Sequence, residues 1–218
     1  MRLRAVVAAT REAFANVEFL EAVESGGAAP ALAARAAQLK RVRDAVDALS
    51  VDDFGGAVLG STELQTVGGG GEVKYQHVSH GAGYSMGVFV LPPSGCIPLH
   101  SHPDMCVISK LLYGDLRVRS YTFSGCHETA LSVLAAGGVA RACMTERNLS
   151  AATTAAGGAA RAAMPTLLSL GPTEGNLHEF TTVGGCAIFD VLAPPYDDDH
   201  RPCIYYRQHA GQQEAGDQ

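Results

Sequence analysis

The chain has 218 residues, enough for one well-buried core, and it contains no apolar run of about 18 residues that would predict a membrane-spanning helix. Its 16 basic against 22 acidic residues give a formal net charge of -6, which argues against a nucleic-acid surface because phosphate binding needs a clustered basic excess. Six widely spaced cysteines without a CxxC pair favour reduced thiols, so we expect the protein in the cytoplasm or the nucleus. We also expect a monomer with neither a nucleic-acid nor a membrane partner.

Residues 1–48 are predicted to form an N-terminal helical extension. Its two helices are separated by the glycine pair 26–27 and by Pro30, which are signals for a helix break. From Leu32 to Leu49 apolar residues recur at intervals of three or four, which predicts one apolar stripe along the second helix. We expect this stripe to pack on the domain C-terminal to it.

From Ser50 onward, glycine-rich turns separate short runs with strand character, a pattern typical of a sandwich or a barrel. Strands are predicted at 75–78, 84–91, 106–112, 116–123, 166–170, 176–181, 186–192 and 203–206. A tight turn at 113–115 is predicted to join two of them. We expect one mainly β domain over residues 49–207 and a polar tail over 208–218.

Residues 135–165 form a low-complexity segment that is rich in Ala and Gly. Such a segment has too few large apolar side chains to offset the entropy lost on ordering. We therefore predict an expanded surface loop inserted into the β domain. A helix is the alternative, since Ala favours helices, but the Gly pairs would cut it into pieces.

Three histidines are the candidate metal ligands. His100 and His102 are one residue apart, so in a strand their side chains project to the same face, and imidazole is the commonest neutral ligand of transition metals. Such a pair alone is a weak signal. His178, after a distant turn, supplies a third ligand if two β motifs face each other across a barrel.

Three neutral imidazoles leave a divalent metal with its full charge and with open positions for substrate. A thiolate substrate can then supply the missing anion to iron(II), with dioxygen as the second substrate. Zinc is the competing metal, and it would acidify a bound water for hydrolysis. The ligands alone leave both chemistries open.

Asp190 is an ionisable residue inside the apolar run 186–192. It shares one face of the predicted strand with Ile188 and Leu192, so it is predicted to face the barrel interior. A carboxylate in that position needs a partner such as a ligand N–H or a substrate ammonium. A structural cap on a backbone N–H is the alternative. Tyr196 is predicted to donate its hydroxyl to oxygen or substrate, or else to be a core aromatic.

Several runs of the sequence resemble motifs of known families. Two sets of residues resemble the two cupin motifs. The first motif corresponds to Gly95, His100, His102 and Gly114, and the second corresponds to Pro172, Gly175 and His178. The glutamate that common cupins carry after the second histidine is absent. The runs 84–95, 97–103, 109–114 and 190–196 resemble the plant cysteine oxidases and the related cysteamine (2-aminoethanethiol) dioxygenases. This resemblance covers residues 33–206 outside the low-complexity segment.

The resemblance implies a cupin double-stranded β-helix with N-terminal helices. It also implies an enzyme of the cysteine dioxygenase type (EC 1.13.11.-), a non-haem iron(II) thiol dioxygenase. Such an enzyme uses O2 to convert the N-terminal cysteine of a protein or peptide to cysteine sulfinic acid, in an oxygen-sensing N-degron pathway. The alternatives are a cysteamine or other small-thiol dioxygenase, and a non-catalytic metal-binding cupin.

Site residues are also implied by the resemblance. The Fe(2+) ligands would be His100, His102 and His178, and residues implicated in activity would be Asp190 and Tyr196. Cys203 and Tyr205 resemble a cysteine–tyrosine pair that forms a thioether crosslink in the cysteamine enzymes. Asp104 stands where the family usually has Gly, and we expect it to alter the entrance of the site or its substrate preference.

Overall fold

Two helices open the chain, and antiparallel strands make up most of the remainder. The computed structural model describes residues 1–15, 29–55, 65–66, 73–151 and 165–209. The predicted glycine break at 26–27 and most of the predicted tail at 208–218 lie outside these described residues. Within them, no helix is long and apolar enough to cross a membrane.

The helices are α1 Arg2–Ala13, α2 Ala29–Asp47, a short 3-10 helix Val51–Phe54, and α3 His127–Ala135. The strands are β1 Gln65–Thr66, β2 Lys74–Gly81, β3 Tyr84–Leu91, β4 Cys96–Ser101, β5 Cys106–Phe123, β6 Ala142–Ala151, β7 Leu167–Leu170, β8 Leu177–Thr181 and β9 Cys186–Ala193. Because α2 begins at Ala29, Pro30 lies in its first turn, where a missing backbone N–H leaves no helical bond unmade.

The nine strands of the described residues form one antiparallel sheet in the order β1-β2-β3-β9-β5-β8-β4, with β6 and β7 also paired to β5. The first half of β5 lies between β9 and β7, and its second half lies between β8 and β6. This long strand therefore belongs to both halves of the curled sheet. The predicted fold class, a mainly β cupin double-stranded β-helix preceded by helices, is confirmed.

The tight turn predicted at 113–115 is wrong, because β5 runs through it as one strand of 18 residues. Gly114 has φ +82, and the pairing with β9 shifts register between Leu111 and Tyr113. A side chain at Gly114 would collide with the carbonyl of Gly185. The glycine therefore bends the strand and lets a neighbouring turn approach, instead of reversing the chain.

The surface loop predicted at 135–165 is wrong for residues 142–151, which form β6. This strand pairs in continuous register with the second half of β5, from Gly114 opposite Ala151 to Phe123 opposite Ala142. Its side chains are mostly exposed, but Leu149 is buried against the barrel core. Pairing with a preformed neighbour, which composition cannot reveal, orders the segment. Residues 152–164 lie outside the described part of the chain.

Strand β9 is buried along its whole length, which explains its almost continuous apolar sequence. One face, with Phe189 and Val191, packs into the same buried cluster as Val6 of α1 and Val42 of α2. The other face points into the barrel, and Ile188 lies there. The predicted helical extension at 1–48 therefore shares a core with the sheet, and the division into two units stays a prediction.

An ion pair ties α2 to the barrel. The Lys110 side chain on β5 is only 10% exposed, and its Nζ lies 2.6 Å from Asp47 Oδ1 and 2.8 Å from Thr166 Oγ1. Without these acceptors the buried ammonium would lose its hydration and would have no hydrogen bond in place of it. The pair therefore fixes the end of α2 against the middle of the sheet.

We predict that Asp47→Ala lowers the free energy of unfolding by about 1–3 kcal/mol, because the buried Lys110 ammonium loses its anionic partner. Urea denaturation measures this change. The matched control is Asp44→Ala, which removes the exposed pair with Lys40 and is expected to cost no more than about 0.5 kcal/mol. Equal effects of the two substitutions on the free energy of unfolding would contradict the stabilising role of the Lys110–Asp47 ion pair.

Candidate metal centre

The fold brings the three predicted ligands together. His100 on β4 and His178 on β8 are direct cross-strand partners, and His102 follows the end of β4. All three side chains are buried, and one ligand nitrogen from each lies within 4.8 Å of the others. Among the described residues this is the group of His, Cys, Asp or Glu side chains that can hold a metal ion.

Hydrogen bonds orient two of the imidazoles for a metal. His100 Nδ1 donates to the Pro98 carbonyl at 2.8 Å, and His102 Nδ1 lies 2.8 Å from the Tyr196 hydroxyl. When Nδ1 carries the hydrogen, Nε2 keeps its lone pair for a metal. Burial lowers the pKa of His102 and of His178 well below the ordinary value, so both rings are neutral.

The spacing of the nitrogens also suits a metal. His102 Nε2 and His178 Nε2 lie 3.3 Å apart. Metal–nitrogen bonds of about 2.0–2.1 Å set neighbouring ligand nitrogens about 3.0–3.4 Å apart. The residues present therefore fit a transition metal held by three neutral imidazoles.

Tyr196 supports His102 from behind. Its hydroxyl donates to the Ser101 carbonyl at 2.8 Å and accepts from His102 Nδ1, and the two rings stack with centroids 5.3 Å apart. The phenolic hydrogen is thus committed to a backbone acceptor, and burial raises the pKa of Tyr196. In this geometry Tyr196 orients a ligand, whereas the sequence predicted a hydroxyl donated to oxygen or substrate.

His178 is held differently. A backbone hydrogen bond with Gly175 opposes the fall in its pKa, and the ring lies flat on Phe180 with centroids 4.4 Å apart and planes 12° apart. Phe180 is fully buried and was missed by the sequence reasoning. The sequence signal for Phe180 is its position two residues after His178, because the period of two in a strand puts both side chains on the same face of β8.

Asn176 is a second residue that the sequence reasoning missed. Its side chain is 2% exposed and bonds to both main-chain polar groups of His102, accepting from N at 3.2 Å and donating to O at 2.5 Å. The available signal is a polar residue with low strand propensity two positions before His178.

A cavity of about 220 Å³ borders two of the three ligands, His100 and His102. Its walls are mostly apolar or sulfur-containing, and they comprise Val73, Phe89, Cys96, Ile97, Pro98, His100, His102, Phe180, Asp190, Leu192, Tyr196, Cys203 and Tyr205. A shape of this kind, with few polar groups, is typical of a small-molecule site. The predicted activity residues and the predicted crosslink pair therefore all line this same cavity.

Asp190 is the buried carboxyl group of the cavity wall. It is 5% exposed, and its cross-strand partner on β5 is Ser109. Burial raises the pKa of Asp190 to about 7, and a side-chain hydrogen bond with Ser109 opposes that rise. A cation entering the cavity would be a suitable partner for it.

Cys203 and Tyr205 lie on the same wall. Tyr205 forms an isolated β-bridge with His100, and the two rings are 6.1 Å apart between centroids. Burial raises the pKa of the Cys203 thiol, while the hydroxyls of Tyr196 and Tyr205 oppose that rise. The thiol thus interacts with both tyrosines, and a Cys203–Tyr205 crosslink stays a prediction.

Asp104 does not line the ligand cavity. It borders a separate cavity of about 280 Å³, with His127 and His200 on its walls. The expected effect of Asp104 on the entrance of the site or on its substrate preference stays a prediction. Its φ of +56 lies in the left-handed region that favours glycine, which gives a backbone reason for the glycine usual in the family.

Comparisons with known proteins agree with this site. Residues 40–218 match the family model PCO_ADO. Plant cysteine oxidase 2 of Arabidopsis thaliana is 32% identical over 77% of this chain and 56% of its own length. The 2-aminoethanethiol dioxygenase of Mus musculus is 38% identical over 62% of this chain and 54% of its own. The chain thus spans about half the length of these curated relatives.

A similarity to a solved structure is also present. KdgF from Halomonas sp. has a TM-score of 0.40 and 14% sequence identity, and the match covers 62% of this chain and 89% of that chain.

We predict that Tyr196→Phe weakens metal affinity by about 10–100-fold, because the His102 N–H loses the acceptor that orients its ring. The phenyl ring keeps the stacking, so the fold is retained. Titration with Co2+ measures the affinity, and Tyr206→Phe, outside the ligand cavity, is the control. Unchanged affinity in Tyr196→Phe would contradict this role.

Asp190 also predicts a pH dependence of stability. Its folded pKa is about 7 against an ordinary 3.8, so between these values the folded chain holds a proton that the unfolded chain releases. The contribution of Asp190 to the free energy of unfolding of the metal-free protein should therefore fall as pH rises through this window. Neutral Asp190→Asn lacks that loss.

We expect Asp190→Asn to be more stable than the parent by about 2–4 kcal/mol at pH 8, and by less than about 1 kcal/mol near pH 4. Urea unfolding of the two metal-free proteins across this range measures the difference. A difference that did not vary with pH would show that the carboxyl is not buried as described.

Proposed function

This chain belongs to the PCO_ADO family, and from that membership and its three-histidine centre we propose that it is a non-haem iron(II) thiol dioxygenase acting on N-terminal cysteine. Both atoms of O2 would be added to the thiol of a protein or peptide, giving cysteine sulfinic acid. The product would enter an oxygen-dependent N-degron pathway in the cytoplasm or nucleus. The observation that carries the proposal is a buried triad of neutral imidazoles beside a small cavity.

The charge of the ligand set supports a thiol substrate. The ligands His100, His102 and His178 are all neutral, so a thiolate entering the site meets an uncompensated divalent metal. Iron(II), when bound, supplies the redox chemistry that lets dioxygen react with sulfur. The protein contributes the orientation of the ligands and a mostly apolar cavity that limits competing water.

Asp190 supports a substrate that carries an ammonium near its thiol. An N-terminal cysteine has a free amine two carbons from sulfur, and the carboxyl of Asp190 lines the same cavity as the ligands. An approaching ammonium would favour the ionised form of this buried carboxyl group. Asp190 would therefore orient the amine and leave the sulfur directed toward the ligands.

Tyr205 supports a peptide in preference to a free small thiol. It lines the cavity and is 55% exposed, so the cavity reaches the surface beside this ring. A peptide could leave by that side once its first residue is bound. Because the cavity measures only about 220 Å³, the second residue of the peptide would lie outside it.

A small-thiol dioxygenase is the second candidate, since the same size and the same carboxyl suit cysteamine, which contains both the amine and the thiol. Several relatives carry the name 2-aminoethanethiol dioxygenase. The two candidates share the site and differ only in what lies beyond the substrate carbon next to the amine.

The deciding experiment incubates the iron-loaded protein with a Cys-initiated peptide and, separately, with cysteamine. Mass spectrometry follows the addition of two oxygen atoms, and an electrode follows O2 consumption. We expect oxidation of the peptide, and none of the same peptide with an acetylated N terminus. Oxidation of cysteamine alone would favour the second candidate, and bound iron without thiol-dependent O2 uptake would favour a non-catalytic cupin.

His178→Ala is expected to lose iron and O2 uptake while the fold is retained, because it removes one ligand and leaves the apolar cluster of the barrel in place. Circular dichroism checks the fold, and metal analysis checks the iron. His80→Ala, an exposed histidine on β2, is the matched control and should keep both properties. Iron retained at the parent level in His178→Ala would count against the assigned ligand.

A further inference from the structure

The three ligands are not held in the same way. His100 and His178 lie opposite each other in the ladder between β4 and β8, and Ser101 pairs with Leu177. The next pair in this antiparallel register would be His102 with Asn176, but both strands have ended there. His102 is therefore the one member of the triad whose main chain lies beyond the sheet.

The side chain of Asn176 replaces the missing backbone pairing. Its carboxamide accepts from His102 N at 3.2 Å and donates to His102 O at 2.5 Å, as an opposing strand would. A third contact, Nδ2 to Gly171 O at 3.4 Å, ties the amide to the turn before β8. The amide is thus fully used within the backbone of the two ligand-bearing segments.

Burial makes this arrangement rigid. Asn176 is 2% exposed and His102 is 3% exposed, so water does not compete for these bonds. Loss of the carboxamide would leave the N–H of His102 buried without a partner, and the carbonyl of His102 would keep only the bond that Met105 N donates at 3.1 Å. The main chain of His102 would then move to recover partners, and its ring would move with it.

We propose that Asn176 is a positioning residue that sets His102 against the other two ligands by acting as an extra rung of the sheet. It acts on the main chain of His102, while Tyr196 acts on the ring. The inference rests on the proposed metal centre and does not depend on the identity of the thiol substrate.

This role differs in a measurable way from a general contribution to stability. A positioning residue affects metal affinity only through the ligand that it positions. Once the imidazole of His102 is gone, removing the Asn176 carboxamide should have no further effect on affinity. A merely structural residue would weaken binding equally with or without that imidazole.

A double-mutant cycle on the full chain tests the proposal. The variants are Asn176→Ala, His102→Ala and the double substitution, with Co2+ affinity and absorption measured by titration. We expect Asn176→Ala to weaken Co2+ affinity by about 10–100-fold in the parent and not at all in His102→Ala. Urea unfolding of the metal-free forms records the stability separately. Asn176→Ser, which can keep one of the two bonds, is expected to fall between Asn176→Ala and the parent.

Thr182→Val is the matched control. It removes a buried hydroxyl that accepts from Gly185 N at 3.1 Å, just beyond the other end of β8 and away from the ligands. We expect it to lower stability and to leave Co2+ affinity unchanged. A loss of affinity equal to that of Asn176→Ala would overturn the proposal.

Three further outcomes separate the inference from the function on which it rests. If His102→Ala weakens Co2+ binding but folded Asn176→Ala and Asn176→Ser do not, the role of Asn176 is overturned and the metal centre stands. Equal losses from Asn176→Ala in both backgrounds would also overturn it. If His102→Ala leaves the affinity unchanged, the proposed centre fails and the inference fails with it.

Discussion

The site depends on keeping three imidazoles neutral and correctly protonated inside a barrel. Burial alone removes the charge, because desolvation lowers the pKa of each ring. It does not decide which nitrogen carries the hydrogen. The Pro98 carbonyl and the Tyr196 hydroxyl make that choice for two of the rings, and stacking on Phe180 holds the third. Acceptors behind the ligands are therefore as much a part of the centre as the ligands.

Strand β9 links this chemistry to the rest of the molecule. One face of it is covered by the N-terminal helices, and the other contributes Asp190 to the cavity beside the ligands. Phe189 and Asp190 are neighbours in sequence, yet one lies in an apolar layer and the other beside the ligands. The helices thus exclude water from the outer face of β9. The inner face of this strand carries Asp190, the one carboxyl group that lines the cavity among the described residues. Their packing supports the unusual pKa of that group.

The sequence predicted those features that depend on local periodicity or on spacing between motifs. The alternation along 186–192 predicts the inward face of Asp190, and the distant His178 predicts a third ligand. Features set by pairing with a remote segment were not predictable in this way. Strand β6 is ordered by its pairing with β5, and the role of Asn176 depends on its hydrogen bonds to His102, 74 positions away in the sequence. Gly114 resembled a turn because a glycine that bends a strand and one that reverses it look alike in sequence.

Two of the protein's own sulfur atoms lie on the cavity wall, on Cys96 and Cys203. Burial raises the pKa of both groups, so at neutral pH each remains a thiol. A thiol is a far weaker metal ligand and nucleophile than a thiolate. Burial of the cavity wall therefore keeps both of these cysteines weakly nucleophilic, although they lie beside the ligand histidines.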